Sequence, residues 1–437
     1  MSESIGSTGT GMKLHTKILL GLAVGALLGI IVNLTVGSEH PVVEAVNGYI
    51  AVPVGQIFLR LLFMVVMPLV FASIALGVCG LGDIRKVGRV GGKAIGYFLI
   101  TTAMAASLGL IVVNVMRPWE RVTPETRQAL MDRFAGDAEG RVKTSAAQDF
   151  GMNTLVNIVP RNPIQAAADT DMLGVIFFGL MFGAALTLIP TAKATPMIDW
   201  LEALNEVVVK IIHFAMLLAP FGVAGLIFTV ASRFGFDLLL AIAAFVTTVL
   251  IALLAHVAIT LSLVIRFLIG LSPLTFFSHV KAALITAFST SSSSATLPTA
   301  LEVAETQLGV PRGIAGFVLP IGSTMCMNGT AIFEGITVIF LAETFGVDLS
   351  LSQMVIVMVM SVLTAIGAAG VPGGSIPLLV GILTMFGVPG EAIAIVLGVD
   401  RILDMSRTTV NVCGDISAAT WVARSEGLWK PSDVPQG

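Results

Sequence analysis

The stretch FSTSSSSATLP, residues 288–298, interrupts a long apolar segment with four consecutive serines. Serine side chains bond to nearby backbone groups, so serines at this density compete with a continuous helix. The proline that ends the stretch is expected to mark the start of a fresh helix. A second stretch, GAAGVPGGSIP at residues 367–377, interrupts a later apolar segment in the same way. Long helices are expected at 310–342, with an interruption at CMNGT (326–330), and at 391–423. A broken hairpin followed by a long helix therefore occurs twice.

The composition is that of a membrane protein. The chain has 437 residues, of which 56% are apolar and 12% charged, and its mean hydropathy is +0.95. Soluble domains carry about 25% charged residues. No basic cluster suggests a nucleic-acid partner, and three scattered cysteines suggest no metal site. A membrane-spanning helix needs about 20 apolar residues, and such runs occur at 18–34, 50–81, 94–116, 172–189, 207–230 and 238–271.

The two interruptions point to a binding site inside the membrane. Backbone that is not helical cannot face lipid, so it must be buried in protein or line a cavity. Paired interrupted segments in corresponding positions are the sequence feature that best indicates the site of a secondary transporter. The alternative is that both are ordinary kinks or loops between helices.

The last helix carries charge on one face. Residues 397–423 read LGVDRILDMSRTTVNVCGDISAATWVA, with polar residues at 400, 404, 407, 411 and 415. Spacings of three and four place them on one helical face. An ionised side chain at the bilayer centre costs about 2.5–3.5 kcal/mol, so this face must meet polar partners inside the protein. The alternative is a structural network in which Arg407 pairs with Asp404 and Asp400 pairs with Arg401.

The residue types on this face suggest a receptor for an acidic amino acid. Asp404 can hold a substrate ammonium group, and Arg407 can bind a carboxylate through two hydrogen bonds. Thr408 and Asn411 supply neutral hydrogen bonds. Asp415, with backbone carbonyls, is a hard oxygen ligand suited to a small cation.

Five motifs carry a family resemblance: SSSSATLP (291–298), PIGSTMCMNGT (320–330), GAAGVPGG (367–374), DMSRTTVNVCGD (404–415) and IVPRNP (158–163). Together they resemble the dicarboxylate/amino acid:cation symporter family, also called the glutamate transporter family. The likeness runs from the first helix to about residue 427. It implies an all-α polytopic membrane protein with eight transmembrane helices and two re-entrant helical hairpins. It further implies a homotrimer in the lipid bilayer that works as an elevator-type transporter.

The resemblance also implies a division of the chain. Residues 12–82 would form scaffold helices 1 and 2, and residues 92–116 helix 3 of the transport domain. Residues 117–171 would be an extracellular loop, and 172–232 scaffold helices 4 and 5. Residues 237–425 would complete the transport domain with helix 6, hairpin 1, helix 7, hairpin 2 and helix 8.

Basic residues near the span ends predict the orientation, because cytoplasmic loops are rich in Lys and Arg. Two lysines precede the first helix, and four basic residues are expected in a turn between the second and third. Both termini are therefore expected in the cytoplasm of a cell (inner) membrane protein. The residues are Lys13, Lys17, Arg85, Lys86, Arg89 and Lys93.

The family pattern assigns roles to individual residues. The substrate would contact Ser292, Ser293, Thr330, Val371, Ser375, Asp404, Arg407, Thr408 and Asn411. Sodium ions would bind at Gly322, Thr324, Ala365, Ile366, Ala368, Asn411 and Asp415. A further sodium site, built on Thr101, Thr102 and Asn328, is in question, because the family reads Asn-Met-Asp-Gly-Thr where residues 326–330 read Cys-Met-Asn-Gly-Thr. Loss of a charge and an oxygen ligand weakens a hard-cation site, so a smaller number of sodium ions is expected.

Two further charged residues bear on coupling. Glu334 stands where eukaryotic glutamate-carrying relatives have a protonatable glutamate, so it is expected either to carry a proton or to be a neutral structural residue. Prokaryotic sodium-type members often have an arginine where this chain has Ser291. Arg401 is expected to reach the same space and to pair with Asp400 or Asp404.

The sequence therefore predicts a secondary symporter that couples inward movement of sodium, with or without protons, to uptake of L-aspartate or L-glutamate. A proton- or sodium-coupled C4-dicarboxylate symporter is the alternative within this class. An ion channel is a rival that suits paired hairpins less well. An enzyme is not expected, since HExxH and GxSxG motifs are absent, and no cofactor is expected beyond the coupling ion.

Overall fold

The computed structural model describes residues 14–38, 40–80, 84–128, 130, 159–168, 172–367, 373 and 375–434, and within them it contains helices and connections but no strand. The prediction of an all-α polytopic membrane protein is confirmed at this level. Among these residues six helical segments are long and apolar enough to cross a membrane: Thr16–Thr35, Pro41–Leu76, Arg89–Arg121, Thr191–Gly235, Leu238–Ile269 and Arg312–Thr344. Two shorter apolar helices, Gly174–Leu188 and Leu351–Ile366, accompany them.

The first apolar runs form four helices. Helix α1 spans Leu14–Thr35, and α2 (Pro41–Val46) continues through a π-helical turn into α3 (Val52–Phe63). Helix α4 spans Val66–Gly80. The predicted run 50–81 is thus broken before α4, because Pro68 has no N–H and its ring clashes with the carbonyl four residues earlier.

Helix α5, Ile84–Met116, begins about ten residues earlier than the apolar run predicted. The basic residues expected in a turn therefore lie within its first turns. Two of them, Arg89 and Lys93, form ion pairs with Glu426. Glu426 therefore neutralises the charges of Arg89 and Lys93. The hydropathy of the segment could not indicate this distant partner.

The middle of the chain contains one very long helical run. Short α6 (Pro163–Ala168) and apolar α7 (Met172–Leu188) precede α8, which spans Thr191–Ala255. Helix α8 bends at Gly235, whose φ of 64° and ψ of −145° are not helical. The bend falls between the predicted runs 207–230 and 238–271, and glycine takes such a positive φ without strain.

The first interrupted segment forms a hairpin. Helix α9 spans Pro273–Thr290 and α10 spans Ser293–Thr306. Between them Ser291 is left-handed (φ 52°) and Ser292 is extended, and the Ser292 side chain caps α10. The new helix begins at Ser293 rather than at Pro298, which lies inside α10. The cap, not the proline, decides where this helix starts.

The long helix that follows hairpin 1 is itself broken. Helix α11, Arg312–Met325, and helix α12, Asn328–Thr344, are separated by Cys326 and Met327, whose backbones are not helical. The break confirms the expected interruption but is confined to two residues. Its position puts free backbone groups in the middle of the protein.

The second hairpin and the last helix complete the chain. The arms of hairpin 2 are α13, Leu351–Gly367, and α14, Ile376–Met385. The predicted interruption 367–377 matches the end of the first arm and the start of the second to within a residue. A short α15 (Ala394–Leu397) precedes α16, Asp400–Ser425, so the run 391–423 is two helices rather than one.

A row of glycines brings α1 against α8. Gly21, Gly25 and Gly29 recur every four residues on α1, and a Cβ at Gly29 would lie 2.6 Å from the Ala231 Cβ. At the other two positions a Cβ would overlap backbone atoms of α8. Small residues at this spacing let two membrane helices approach closely.

We predict that Gly25→Ala destabilises the protein, because the new Cβ would overlap the Ala224 carbonyl. Overpacking of this kind costs about 1–3 kcal/mol, so the apparent Tm should fall by several degrees. The matched control is Gly96→Ala on α5, where a Cβ meets nothing within 4 Å. Its Tm should stay unchanged or rise, since alanine is the better helix former by about 1 kcal/mol. Thermal unfolding in detergent measures both, and equal shifts would contradict the close contact.

Candidate functional site

The centre of the candidate site is the Arg407 side chain, which is 1% exposed. Its Nη2 donates to Oδ1 of Asp400 at 3.0 Å and to Oδ1 of Asp404 at 2.9 Å. Its Nη1 donates to Oγ of Ser375 at 3.2 Å, next to the start of α14. Its Cζ lies 3.9 Å from the centre of the Phe333 ring on α12. Three elements (α16, hairpin 2 and α12) therefore hold one guanidinium.

The charges around Arg407 are balanced. Asp404 also receives a hydrogen bond from the backbone N–H of Gly373 at 3.2 Å, and its Oδ2 lies 3.8 Å from Nη1 of Arg401. Two carboxylates thus face two guanidinium groups. The expected pairing of Arg401 with Asp404 is present at this long distance, whereas Asp400 bonds to Arg407.

Donor capacity remains in this network. The Nε atoms of Arg401 and Arg407 are buried and have no hydrogen-bond partner among the described residues. A buried donor without an acceptor is costly, so an additional acceptor is favourable here. A carboxylate of a bound molecule would supply one.

Asn411 ties α16 to the break between α11 and α12. Its Oδ1 accepts from the backbone N–H of Gly329 at 2.8 Å, and its Nδ2 donates to Oγ1 of Thr330 at 3.2 Å and lies 3.1 Å from the Met327 sulfur. A Cβ at Gly329 would lie 2.5 Å from the Arg407 carbonyl oxygen. The glycine is therefore required for the break to approach α16 so closely.

The other predicted substrate residues lie on the same elements. Thr408 donates to the Asp404 carbonyl at 2.9 Å within α16. Ser292 accepts from the Ala295 N–H at 3.1 Å, and Ser293 is buried at the start of α10. Helix α10 contacts α16, so hairpin 1 packs against the helix that carries the charged face.

Glu334 is buried one residue beyond Phe333. Its Oε2 accepts from Oγ1 of Thr364 on α13 at 2.6 Å, while its Oε1 is buried without a partner among the described residues. The carboxyl group therefore joins hairpin 2 to α12 next to the guanidinium site.

The questioned sodium site is held together by its own hydrogen bonds. Oδ1 of Asn328 accepts from Oγ1 of Thr102 at 2.8 Å, and the Cys326 sulfur lies 3.9 Å from the same amide oxygen. Oγ1 of Thr101 lies 3.4 Å from this oxygen, but its one proton is donated to the Tyr97 carbonyl at 2.9 Å. These three predicted ligands do come together. The cluster is neutral, and Nδ2 of Asn328 is buried without a partner among the described residues.

A second cluster contains a carboxylate oxygen with no donor. Asp415 is 3% exposed, and its Oδ1 has no hydrogen-bond partner in the described part of the chain. That atom would lie 2.7 Å from a Cβ at Gly322, so it faces the backbone of α11. A buried carboxylate oxygen beside carbonyl groups suits a small hard cation.

Three of the remaining predicted sodium ligands lie within the described part of the chain. Thr324 is exposed and donates to the Ile321 carbonyl at 3.0 Å. Ala365 is buried and Ile366 half-buried near the end of α13. Ala368 and the predicted substrate residue Val371 lie outside the described residues.

The sequence missed three partners in this site. Asp400 lies on the predicted charged face, and its distance of seven residues, two helical turns, from Arg407 could have indicated the pair. Phe333 and Thr364 carry no such signal, because an aromatic or a threonine in an apolar helix is most often a packing residue.

Comparison with known proteins gives a consistent result. The model of a family described as the sodium:dicarboxylate symporter family matches residues 14–425. The chain is 35% identical over 414 residues to the proton/glutamate-aspartate symporter of Escherichia coli (strain K12), covering 95% of this chain and 93% of that protein. It is 33% identical over 417 residues to the proton/sodium-glutamate symport protein of Bacillus subtilis (strain 168), covering 95% of both chains.

A third relative carries a different name. The C4-dicarboxylate transport protein of Bacillus subtilis (strain 168) is 33% identical over 419 residues, covering 95% of each chain. The family match and all three relatives extend over nearly the whole length of this protein, as the resemblance of its motifs predicted. The chain therefore belongs to the sodium:dicarboxylate symporter family.

Proposed function

We propose that this protein is a secondary symporter that couples cation movement to the uptake of L-aspartate or L-glutamate. The observation that carries the proposal is the buried guanidinium of Arg407, bonded to Asp400 and Asp404 beside hairpin 2 and α12. An acidic amino acid offers an ammonium group for Asp404 and a carboxylate for Arg407. The names of the glutamate and glutamate-aspartate relatives agree with this substrate class.

A C4-dicarboxylate is the second candidate substrate, since one relative is named for it. A dicarboxylate can bond to Arg407, but it offers no positive group to Asp404. The buried carboxylate of Asp404 would then share Arg407 with the substrate carboxylate. It would lose part of its own pairing and gain no new positive partner. The charge balance of the site therefore favours the amino acid.

Sodium is the proposed main coupling ion, and it is cargo rather than a resident cofactor. Asp415, with its unpartnered oxygen against the Gly322 backbone, is the proposed ligand, and Asn411 would contribute beside it. The cluster of Thr101, Thr102 and Asn328 is proposed not to bind sodium, because it carries no charge and the Thr102 hydroxyl already donates to the amide oxygen. We therefore expect fewer sodium ions per cycle than in relatives with an aspartate at this position.

The proposed mechanism is of the elevator type. Residues 12–82 and 172–232 would form the scaffold, and residues 92–116 and 237–425 the transport domain, with 117–171 as an outer loop. A buried apolar cluster that joins α5, hairpin 1, α11 and α16 supports a single moving unit. Assembly as a homotrimer in the inner membrane, with both termini in the cytoplasm, completes the proposal. The apolar face of α1, with Leu27 61% exposed, suits contact with lipid or a neighbouring subunit.

We predict that Asp404→Asn and Arg407→Gln each lower kcat/KM for L-aspartate by about 10–100-fold, the loss expected for a charged hydrogen bond. Uptake of labelled L-aspartate into proteoliposomes, with succinate as competitor, measures this. The matched control is Asp199→Asn, the same change at an exposed site on α8, which should leave uptake unchanged. Retained or improved succinate uptake by Asp404→Asn would favour the dicarboxylate reading instead.

The proposal for the questioned sodium site predicts a gain of function. Asn328→Asp restores a carboxylate beside Thr101 and Thr102, so uptake should depend more steeply on sodium, by about one further ion per cycle. Sodium titrations of uptake at fixed substrate test this, with the exposed Asn162→Asp as the matched control. An unchanged steepness, in a variant that still folds and transports, would argue that this cluster cannot hold a cation.

Glu334 is the proposed proton carrier. A neutral carboxyl group carries one proton, so loading from the outside should make uptake rise as the external pH falls. Glu334→Gln replaces the carboxyl group with a neutral amide that cannot release a proton. Uptake by this variant should therefore lose the pH dependence, while exchange of internal for external substrate is kept. Measured pH profiles for this variant and for the exposed control Glu206→Gln decide the point. If Glu334→Gln keeps the pH profile of the wild-type protein, Glu334 is a structural residue and not a proton carrier.

A further inference from the structure

The C-terminal end of α16 contacts both ends of hairpin 1. On the side where the chain enters α9, the Arg424 guanidinium packs against Gly270, and its Cζ would lie 2.9 Å from a Cβ there. On the side where the chain leaves α10, the indole Nε1 of Trp429 donates to the Leu308 carbonyl at 2.6 Å. The two chain segments at the base of hairpin 1 are therefore both held by residues 424–429.

Trp429 is an anchor rather than a surface contact. It is 1% exposed and belongs to the same buried apolar cluster as Leu271, Leu308 and Val310. The neighbouring Leu428, by contrast, is 59% exposed. Gly427 takes a left-handed φ of 72°, which turns the chain at the end of α16 and lets the indole reach the hairpin.

Glu426 adds a third attachment, to the start of α5. Its Oε2 accepts from Arg89, with Nη2 at 2.5 Å, and its Oε1 accepts from Nζ of Lys93 at 2.6 Å. Lys93 also donates to the Ser425 carbonyl at 2.9 Å. Hydrogen bonds from Arg89 and then Lys93 lower the pKa of Glu426 to about 2 from 4.5. The pairing is thus complete above about pH 4.5 and is lost only as the pH falls through 2, so it is not a physiological pH switch.

We infer that residues 426–434 form a strap that ties the base of hairpin 1 and the start of α5 to the end of α16. The strap keeps these elements moving as one body. The hydrogen bonds described for Glu426 and Trp429 lie outside the Arg407 site, so the strap acts on the rate of transport rather than on substrate affinity. The functional half of this inference rests on the proposed transport function.

The experiment compares Trp429→Ala with Leu428→Ala in the full chain. Hydrogen–deuterium exchange in residues 304–312 should speed up by about tenfold or more in Trp429→Ala, because a buried anchor and its hydrogen bond are lost. The same variant should lower the maximal rate of L-aspartate uptake at least severalfold with an unchanged KM. Leu428→Ala should leave both unchanged. Trp429→Phe, which keeps an aromatic ring but loses the indole N–H, should show an intermediate effect.

Two results would overturn the inference. Unchanged exchange at 304–312 in Trp429→Ala would mean that the base of the hairpin is not held by the indole. Faster exchange with a wild-type uptake rate would mean that the strap has no part in transport. Absence of acidic amino acid uptake in the wild type would instead reject the proposed function, and the exchange data would still test the strap. A size-exclusion profile and Tm for each variant separate either result from misfolding.

Discussion

A guanidinium buried in an apolar helical protein must be neutralised by carboxylates within hydrogen-bond distance, and the organisation of this site follows from that requirement. Arg407 meets Asp400 and Asp404 along its own helix. Both acids are on α16, so the pairing by itself needs no second element. The surroundings must nevertheless exclude water and supply the remaining acceptors, which explains why Ser375 of hairpin 2 and Phe333 of α12 converge on the same side chain.

This arrangement also explains why the helices are interrupted where they are. A continuous α11–α12 helix would bond all its own backbone groups, and the Gly329 N–H could not reach Oδ1 of Asn411. A continuous hairpin 2 would likewise have no free N–H at Gly373 for Asp404. Each break therefore provides a backbone group that a polar residue on α16 uses, and each such residue is buried, where non-helical backbone is tolerated.

The sequence predicted these elements wherever a local pattern was sufficient. Spacing identified the buried face of α16, and glycine and proline marked the ends of the hairpin 2 arms. It failed where a distant partner decides the outcome. The start of α5 depends on Glu426, more than 300 residues away, and the pairing of Asp400 depends on which arginine turns inward. The start of α10 is different, because a local cap at Ser292 outweighed the proline at 298.

The two cation clusters show how small a chemical difference separates a binding site from a closed hydrogen-bond network. The first joins side chains of α5 and α12, and the second places Asp415 of α16 against the backbone of α11. At Asn328 the amide oxygen already accepts a hydrogen bond from Thr102, and the side chain carries no charge. At Asp415 one carboxyl oxygen has no donor among the described residues. A cation must supply more than the hydrogen bonds it displaces, and it displaces one at Asn328 but none at that oxygen of Asp415. Under the proposed function, the exchange of a single side-chain atom, from carboxylate oxygen to amide nitrogen, would therefore change the number of coupling ions with the surrounding fold kept.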